Sequence, residues 1–355
     1  MAYKVGYIGF GGMISGYHYA AVTTDETLPF EPTAVFDIDP ERRADAASRG
    51  LKAFDNPEDF FAHGGYDLVV VGTANNYHCE MACRAMEAGF NVMTEKPAAR
   101  NAAEVEKMIA VSEKTGRLFT VHQNRRWDGD FLMIRQALED GVIGRPFMIE
   151  SRIHSKNGNG DMYGWRGMTD HGGGMLLDWG VHMLDQLLFM VKEPVKTVSA
   201  SVRSLWSEEV DDYAKVILTF ESGLVTQMEV STYNPIPLPR WIVYGDRGAL
   251  MMNEIGDPTV KVRRISADRS DTEKAKAFED WKVVLRDQSR HRIEGFEELE
   301  TDRTPGGTWH NLYRNLYGVL SGTEELNVKP EQVLACMKVI DAAFLSSREG
   351  ITVRL

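Results

Sequence analysis

The feature that most constrains this chain is the regular alternation of short apolar strands and helices through its first 123 residues. Strands are expected at Tyr3–Ile8, Thr33–Phe36, Leu51–Phe54, Asp67–Val71, Asn91–Thr94 and Leu118–His122. Helices are expected from Pro57, over His78–Ala88 and over Ala102–Thr115. The run Leu68-Val69-Val70-Val71 is continuously apolar, which suits a parallel strand covered on both faces. Strand and helix in alternation, joined by short connections, predict a doubly wound parallel sheet of the Rossmann kind.

After Asn124 the pattern changes. A helix over about Gly129–Asp140 precedes β-rich segments at Phe147–His154, Val195–Trp206, Tyr213–Phe220, Leu224–Thr232, Trp241–Tyr244, Ala249–Asn253 and Val260–Ile265. Two helices, about Thr308–Ser321 and Pro330–Arg348, and a strand at Ile351–Val353 close the chain. The fold class expected is therefore α/β followed by α+β. Residues 1–123 form a Rossmann domain, and residues 124–355 carry a large, mostly antiparallel open sheet flanked by helices. Residues 268–280 are charged and read as a surface excursion.

The net charge of −12 argues against a nucleic-acid surface, which needs clustered Lys and Arg. No apolar stretch approaches the length of a membrane span. The N-terminal residues run straight into a strand, with no signal peptide expected. Cys79 and Cys83 lie four apart with no further Cys or His cluster to complete a zinc site, so no metal is expected. All three cysteines read as reduced thiols in a cytoplasmic setting.

Candidate chemistry collects at the ends of the strands, where doubly wound sheets bind ligands. The first strand feeds Gly9-Phe10-Gly11-Gly12-Met13-Ile14-Ser15-Gly16. Such a turn lets backbone N–H groups approach a pyrophosphate at a helix N-terminus. The second strand ends at Asp37, placed to accept hydrogen bonds from an adenosine ribose and to repel a 2′-phosphate. That favours NAD over NADP, although Arg42 and Arg43 follow closely. Asp39, before Pro40, reads as a helix cap. Thr73, Asn75, His78, Glu95, Lys96, Gln123 and Asn124 all fall at or just after strand ends.

A second constellation lies on Gly172-Gly173-Gly174-Met175-Leu176-Leu177-Asp178-Trp179-Gly180-Val181-His182. Three glycines lead into an apolar helix on which Asp178 and His182 are four residues apart, so that they share a face. A carboxylate beside an imidazole fixes its tautomer and raises its basicity, as in a general base. Taken alone, such a pair is more often a buried histidine satisfied by an acid. Asp185, three residues beyond His182, suits a structural role equally well. The polar, glycine-rich loop 155–171 delivers the chain to this helix.

Together these motifs resemble the Gfo/Idh/MocA oxidoreductase family. The matching pieces are Gly9–Met13, Asp37, Thr73-Ala74-Asn75 with His78, Glu95-Lys96-Pro97, and the run from Gly174 to His182. Ala74 stands where a proline is common, and Ile14 occupies the third glycine position of the turn. The resemblance implies a nicotinamide cofactor held by Gly9, Phe10, Gly11, Gly12, Met13, Asp37, Thr73, Asn75, His78, Glu95, Lys96 and Gln123. Trp165 and Arg166 are further cofactor candidates. It also implies a small polyhydroxylated substrate, a sugar or cyclitol such as inositol, over the nicotinamide. Lys96, Asp178 and His182 would face the reacting carbon, with Arg126, His154 and Asn157 as further substrate contacts. His182 would accept the hydroxyl proton, with Asp178 orienting it and hydrogen-bonding a neighbouring hydroxyl. Lys96 would stabilise developing alkoxide charge.

The expected activity is an NAD-dependent oxidation of a secondary hydroxyl in a sugar, sugar derivative or inositol. One alternative is a redox-neutral glycosidase of the same fold that retains its NAD. Another is a nucleotide-sensing regulator, which would have no need of Lys96, Asp178 and His182. An exposed sheet face in the second domain points to a homodimer or homotetramer.

Overall fold

The structure is a computed structural model and describes residues 2–155, 162–257, 259–265, 296–302, 308 and 310–355. The substrate candidate Asn157 and the charged excursion 268–280 lie outside the described residues. The first sheet contains β1 (Tyr3–Ile8), β2 (Phe30–Phe36), β3 (Lys52–Phe54), β4 (Leu68–Val71), β5 (Asn91–Thr94) and β6 (Phe119–Val121). They run parallel, as the alternation predicts, in the order β3-β2-β1-β4-β5-β6, a doubly wound arrangement. β4 is fully buried along its length, which accounts for its unbroken apolar sequence.

The helices between these strands are α1 (Tyr19–Thr24), α2 (Pro40–Ser48), α3 (Pro57–His63), α4 (His78–Glu87) and α5 (Ala102–Thr115). Their starts are written in the sequence. Asp39 accepts the Glu41 N–H at 2.9 Å with Pro40 in the first turn, as expected of it. Asn56 and Asn101 cap α3 and α5 by accepting the N–H groups of Asp59 and Glu104.

Between the glycine turn and α1 lies one wide π-helical turn, Ile14–His18. The bulky residue in the third glycine position is accommodated here. A Cβ on Gly72, at the end of β4, would lie 2.5 Å from Ile14 Cγ1 and Cδ1. The close helix–strand approach usually provided by a glycine on the helix is thus provided by one on the facing strand.

The second sheet has nine described strands: β7 (Pro146–His154), β8 (Val195–Arg203), β9 (Tyr213–Phe220), β10 (Val225–Ser231), β11 (Trp241–Gly245), β12 (Gly248–Met252), β13 (Thr259–Ile265), β14 (Phe296–Asp302) and β15 (Val353–Arg354). Their order is β14-β13-β12-β11-β7-β10-β9-β8-β15, antiparallel except for the parallel pair β7–β10. β14 was not among the expected strands. Its sequence, Phe-Glu-Glu-Leu-Glu-Thr-Asp, has no apolar alternation because it forms a sheet edge.

Four more helices are described: α6 (Gly129–Glu139), α7 (Val181–Val191), α8 (His310–Leu320) and α9 (Pro330–Glu349). α7 packs on one face of the second sheet, where Arg240 bonds both Ser151 of β7 and Gln186 of α7. α9 bridges the two sheets. Its Ser346 and Ser347 accept backbone N–H groups of β8, and Asp341 accepts the first N–H of α5 at 2.9 Å. α8 reaches the first sheet's polar interior through Tyr313, which is fully buried.

Candidate active site

Two segments, one following a strand of the first sheet and one leading into α7, meet to form the site. Lys96 follows β5, and its peptide bond to Pro97 is cis. Asp178 lies on a second π-helical turn, Leu176–Gly180, which leads into α7. Lys96 Nζ donates to Asp178 Oδ1 at 2.7 Å and to the Asp178 carbonyl at 3.1 Å. Burial opposes ionisation of Asp178, but the Lys96 ammonium and the Arg166 guanidinium hold its carboxyl below the usual range. Arg166 Nε lies 3.5 Å from the same oxygen, and its guanidinium sits 4.4 Å over the Trp165 ring. The structure thus brings Lys96, Asp178 and Arg166 together, with Trp165 beside them.

The glycines before this turn are set by crowding. A Cβ on Gly173 would overlap the Arg166 carbonyl, and one on Gly174 would overlap the Asp211 carboxylate. Asp211, which no sequence motif singles out, takes the Leu176 N–H on its carboxylate at 2.7 Å and the Met175 N–H on its carbonyl at 2.8 Å. It satisfies the start of the helical segment that carries Asp178.

The expected hydrogen bond between Asp178 and His182 is replaced by other partners. Asp178 is engaged by Lys96 and Arg166, while His182 Nδ1 meets Gln123 Oε1 at 2.8 Å. The i,i+4 rule assumes α-helical winding, and the wider turn over residues 176–180 intervenes. Asp178 therefore does not orient the imidazole. Burial first, then the charges of Lys96 and Arg125, push the His182 imidazolium well below its ordinary pKa, so the ring is neutral near pH 7.

The cofactor half of the site fits a dinucleotide. Cβ atoms on Gly11 and Gly12 would meet nothing closer than an Arg42 guanidinium at 3.7 Å, leaving open backbone at the turn. Asp37 lies at the end of β2 and accepts the Phe10 N–H at 2.6 Å and the Asp39 N–H at 2.8 Å. Each carboxylate oxygen retains a lone pair for a ribose hydroxyl. Asn75 donates to the Gly172 carbonyl at 2.7 Å, and its buried Oδ1 has no partner among the described residues. Thr73, at the end of β4, is half-buried, with its hydroxyl on the Ala74 carbonyl. Met13 is half-exposed just ahead of the first π turn.

Several candidates are turned away from the cleft. His78 is buried with Nδ1 at 2.8 Å from the Pro97 carbonyl and Nε2 at 3.1 Å from the Thr73 carbonyl, so it braces two strand-end loops. Glu95 is buried too. Its Oε1 is 2.7 Å from His18 Nε2 and 2.8 Å from His122 Nδ1, and its Oε2 accepts the Lys96 N–H. Through the Lys96 N–H this carboxylate supports the backbone at Lys96. Burial alone would raise its pKa, but the two histidines hold it well below the usual range. His18 also meets the Tyr313 hydroxyl at 2.7 Å, and burial and His122 lower its pKa to about 4. His18, Glu95 and His122 are residues of metal-ligand type whose donor atoms lie within 4.8 Å of one another. In this arrangement Glu95 Oε1 meets both histidines, and the buried His122 Nε2 has no hydrogen-bond partner among the described residues.

Arg126, a candidate substrate contact, is held in a buried network. Its guanidinium grips Asp185 at 2.7 and 2.8 Å and bonds the Asn327 carbonyl and Gln332, with 2% of the residue exposed. His154 is three residues beyond Ser151, so strand alternation puts it on the face opposite α7. There it contacts Asn234 at 3.1 Å and Glu229 at 3.8 Å, and among the described residues it does not meet Lys96, Asp178 or His182.

Comparison with known proteins matches both halves of the chain. Residues 3–123 match a family model described as an oxidoreductase family, NAD-binding Rossmann fold, and residues 131–251 match the GFO/IDH/MocA C-terminal domain. A solved NAD-binding protein from Listeria innocua is 35% identical, with a TM-score of 0.86, covering 100% of this chain and 97% of that one. The uncharacterised oxidoreductase YdgJ of Escherichia coli is 27% identical over 99% of this chain and 98% of its own length. A myo-inositol 2-dehydrogenase of Thermotoga maritima is 26% identical over 75% of this chain and 80% of its own. The first domain is an NAD-binding Rossmann domain, and the chain belongs to the Gfo/Idh/MocA oxidoreductase family.

Proposed function

We propose that the protein is an NAD-dependent dehydrogenase that oxidises a secondary hydroxyl of a sugar, sugar derivative or inositol. The observation that carries this reading is the pairing of Lys96 with Asp178, 2.7 Å apart, beside a neutral, buried His182. When bound, NAD supplies the acceptor for the hydride that leaves the carbinol carbon. The chain's own residues handle the proton and the charge. Neutral His182 takes the hydroxyl proton, and Lys96 stabilises the alkoxide as it develops. Asp178 holds the ammonium in place and accepts a hydrogen bond from a neighbouring substrate hydroxyl. Gly9 to Met13 and Asp37 hold the pyrophosphate and ribose, with Thr73, Trp165 and Arg166 lining the nicotinamide end.

The inositol dehydrogenase among the relatives supports a polyhydroxylated substrate. The reading divides the chain into a cofactor domain, 1–123, and a domain for substrate binding and oligomer formation, 124–355. The sheet face away from α7 carries Arg152, Lys215 and Glu229, with Glu229 3.7 Å from Arg152 and 3.6 Å from Lys215. A second copy covering this face would make the protein a homodimer or homotetramer, which sedimentation resolves. Cys79, Cys83 and Cys336 are buried and unpaired, in keeping with a cytoplasmic protein. No described helix is long and apolar enough to cross a membrane.

The test is a panel of cyclitols, aldoses and simple glycosides incubated with protein and NAD, followed by NADH absorbance. One compound should produce NADH, and Lys96→Ala and His182→Ala should each lower the rate by at least about 100-fold. Silence across the panel with NAD retained on the purified protein would favour a redox-neutral glycosidase. Failure to bind any nucleotide would remove both enzyme readings.

A further inference from the structure

We infer that Gln123 is the positioning residue for His182. Its side-chain carbonyl fixes the imidazole as the Nδ1–H tautomer and leaves Nε2 as the atom that accepts the substrate proton. The residues meet at 2.8 Å, and Gln123 and His182 are 1% and 4% exposed. The other candidate for this role, Asp178, is already taken by Lys96 and Arg166.

Three ties hold the register between the segment after β6 and α7. Gln123 meets His182, Gln186 donates to the Arg125 carbonyl at 2.6 Å, and Arg126 grips Asp185 with two hydrogen bonds. His122, immediately before Gln123, is anchored on Glu95 at 2.8 Å. Gln123 thus cannot drift along α7, and the orientation of its amide is transmitted to the ring.

An amide in this place has a distinct chemical consequence. It accepts the Nδ1–H bond but brings no charge to neutralise an imidazolium. Burial and the charges of Lys96 and Arg125 act against a proton on the ring, and the charge of Glu95 offsets them only in part. It therefore stays neutral and ready to receive a proton, and releases it readily afterwards. In the transfer, the substrate O–H bond breaks as the Nε2–H bond forms, while the Nδ1–H bond to Gln123 is kept throughout.

The catalytic part of this inference rests on the dehydrogenase reading; the tautomer does not, and the experiment separates them. Long-range proton–nitrogen correlation spectra of histidine-labelled, NAD-bound protein report which ring nitrogen carries hydrogen, with His182→Asn identifying the signal. The expected spectrum shows Nδ1 protonated and Nε2 bare, a pattern lost in Gln123→Met. The Met variant fills the same space without an acceptor. It should lose about 100-fold in kcat, with KM and NAD affinity little changed. Gln123→Glu restores an acceptor, so kcat should recover at alkaline pH. Its carboxylate should also move the acid limb of the pH profile up by about one unit or more.

A wild-type ring protonated on Nε2 would overturn the assignment. So would a Met variant with unchanged kcat, and weakened NAD binding alone would make Gln123 a cofactor ligand instead. If no compound is oxidised by the wild type, the dehydrogenase reading fails, and the spectra still decide the tautomer.

Discussion

The protein has two glycine-rich turns that lead into helices, and they use the same residue for opposite reasons. Both precede a single π-helical turn, Ile14–His18 in one case and Leu176–Gly180 in the other. At the first, Gly11 and Gly12 face open space, room that a dinucleotide would fill. At the second, Gly173 and Gly174 are hemmed in by Arg166 and Asp211, so the protein fills the space itself. The first turn is shaped for a ligand. The second is packed to hold Asp178 and His182 where they are. A methyl at Gly173 or Gly174 should cost stability, whereas one at Gly11 or Gly12 should cost only binding.

The sharpest test of this contrast is Gly173→Ala. The new methyl would overlap the Arg166 carbonyl and lie 2.9 Å from the Met168 carbonyl, both backbone atoms that cannot swing aside. Overpacking of this kind should destabilise the protein by about 3 kcal/mol or more, measured by denaturant unfolding. Full stability in this variant would show that the second turn is as open as the first.

Next in size is the pH dependence created by Asp211 under the second turn. Burial raises its carboxyl from 3.8 to about 6 in the folded protein. A folded-state pKa above the unfolded value means stability is fully present below about pH 4 and is lost as pH rises through 6. The shift of about 2 units corresponds to about 3 kcal/mol. Asp211→Asn keeps an acceptor for the Leu176 N–H but does not titrate. The wild type should therefore lose about 3 kcal/mol relative to Asp211→Asn between pH 4 and 7. A constant difference would mean the helix start does not feel the charge.

Much of the fold that carries the two turns is legible in the sequence, and what is not has physical reasons. The strand–helix alternation predicts the doubly wound parallel sheet, and Glu95-Lys96-Pro97 with Asp178 marks where the two halves meet. The pairing of Asp178 with His182 was misread because helical spacing cannot show that a lysine 82 residues away claims the carboxylate. The network of His18, Glu95, His122 and Tyr313 left no trace in local spacing, since its members are brought together only by the sheet and α8. Glycines in a row likewise look the same whether the space beside them holds a ligand or a carbonyl.

The cofactor side is packed too where Gly72 meets Ile14, and a double-mutant cycle isolates that contact. Gly72→Ala should cost about 1–3 kcal/mol because its methyl would meet Ile14 at 2.5 Å. Ile14 is a side chain rather than backbone, so shortening it to Ala should recover part of that cost. The two substitutions should couple by at least about 0.5 kcal/mol. Additive effects would mean that Gly72 and Ile14 do not share the gap.

The smallest expected change in stability is the one that most clearly separates the two turns. Gly11 does not adopt a left-handed backbone, and its nearest neighbour to a new methyl is the Arg42 guanidinium at 3.7 Å, an ordinary contact. Gly11→Ala should therefore alter unfolding free energy by no more than about 0.5 kcal/mol. The same methyl would stand where the pyrophosphate must approach the turn, so NAD affinity measured by calorimetry should fall by about 10-fold or more, equivalent to about 1.4 kcal/mol. Stability kept while NAD binding is lost identifies space reserved for a ligand. Stability lost along with binding would put Gly11 in the same class as Gly173, and the two turns would then differ only in what surrounds them.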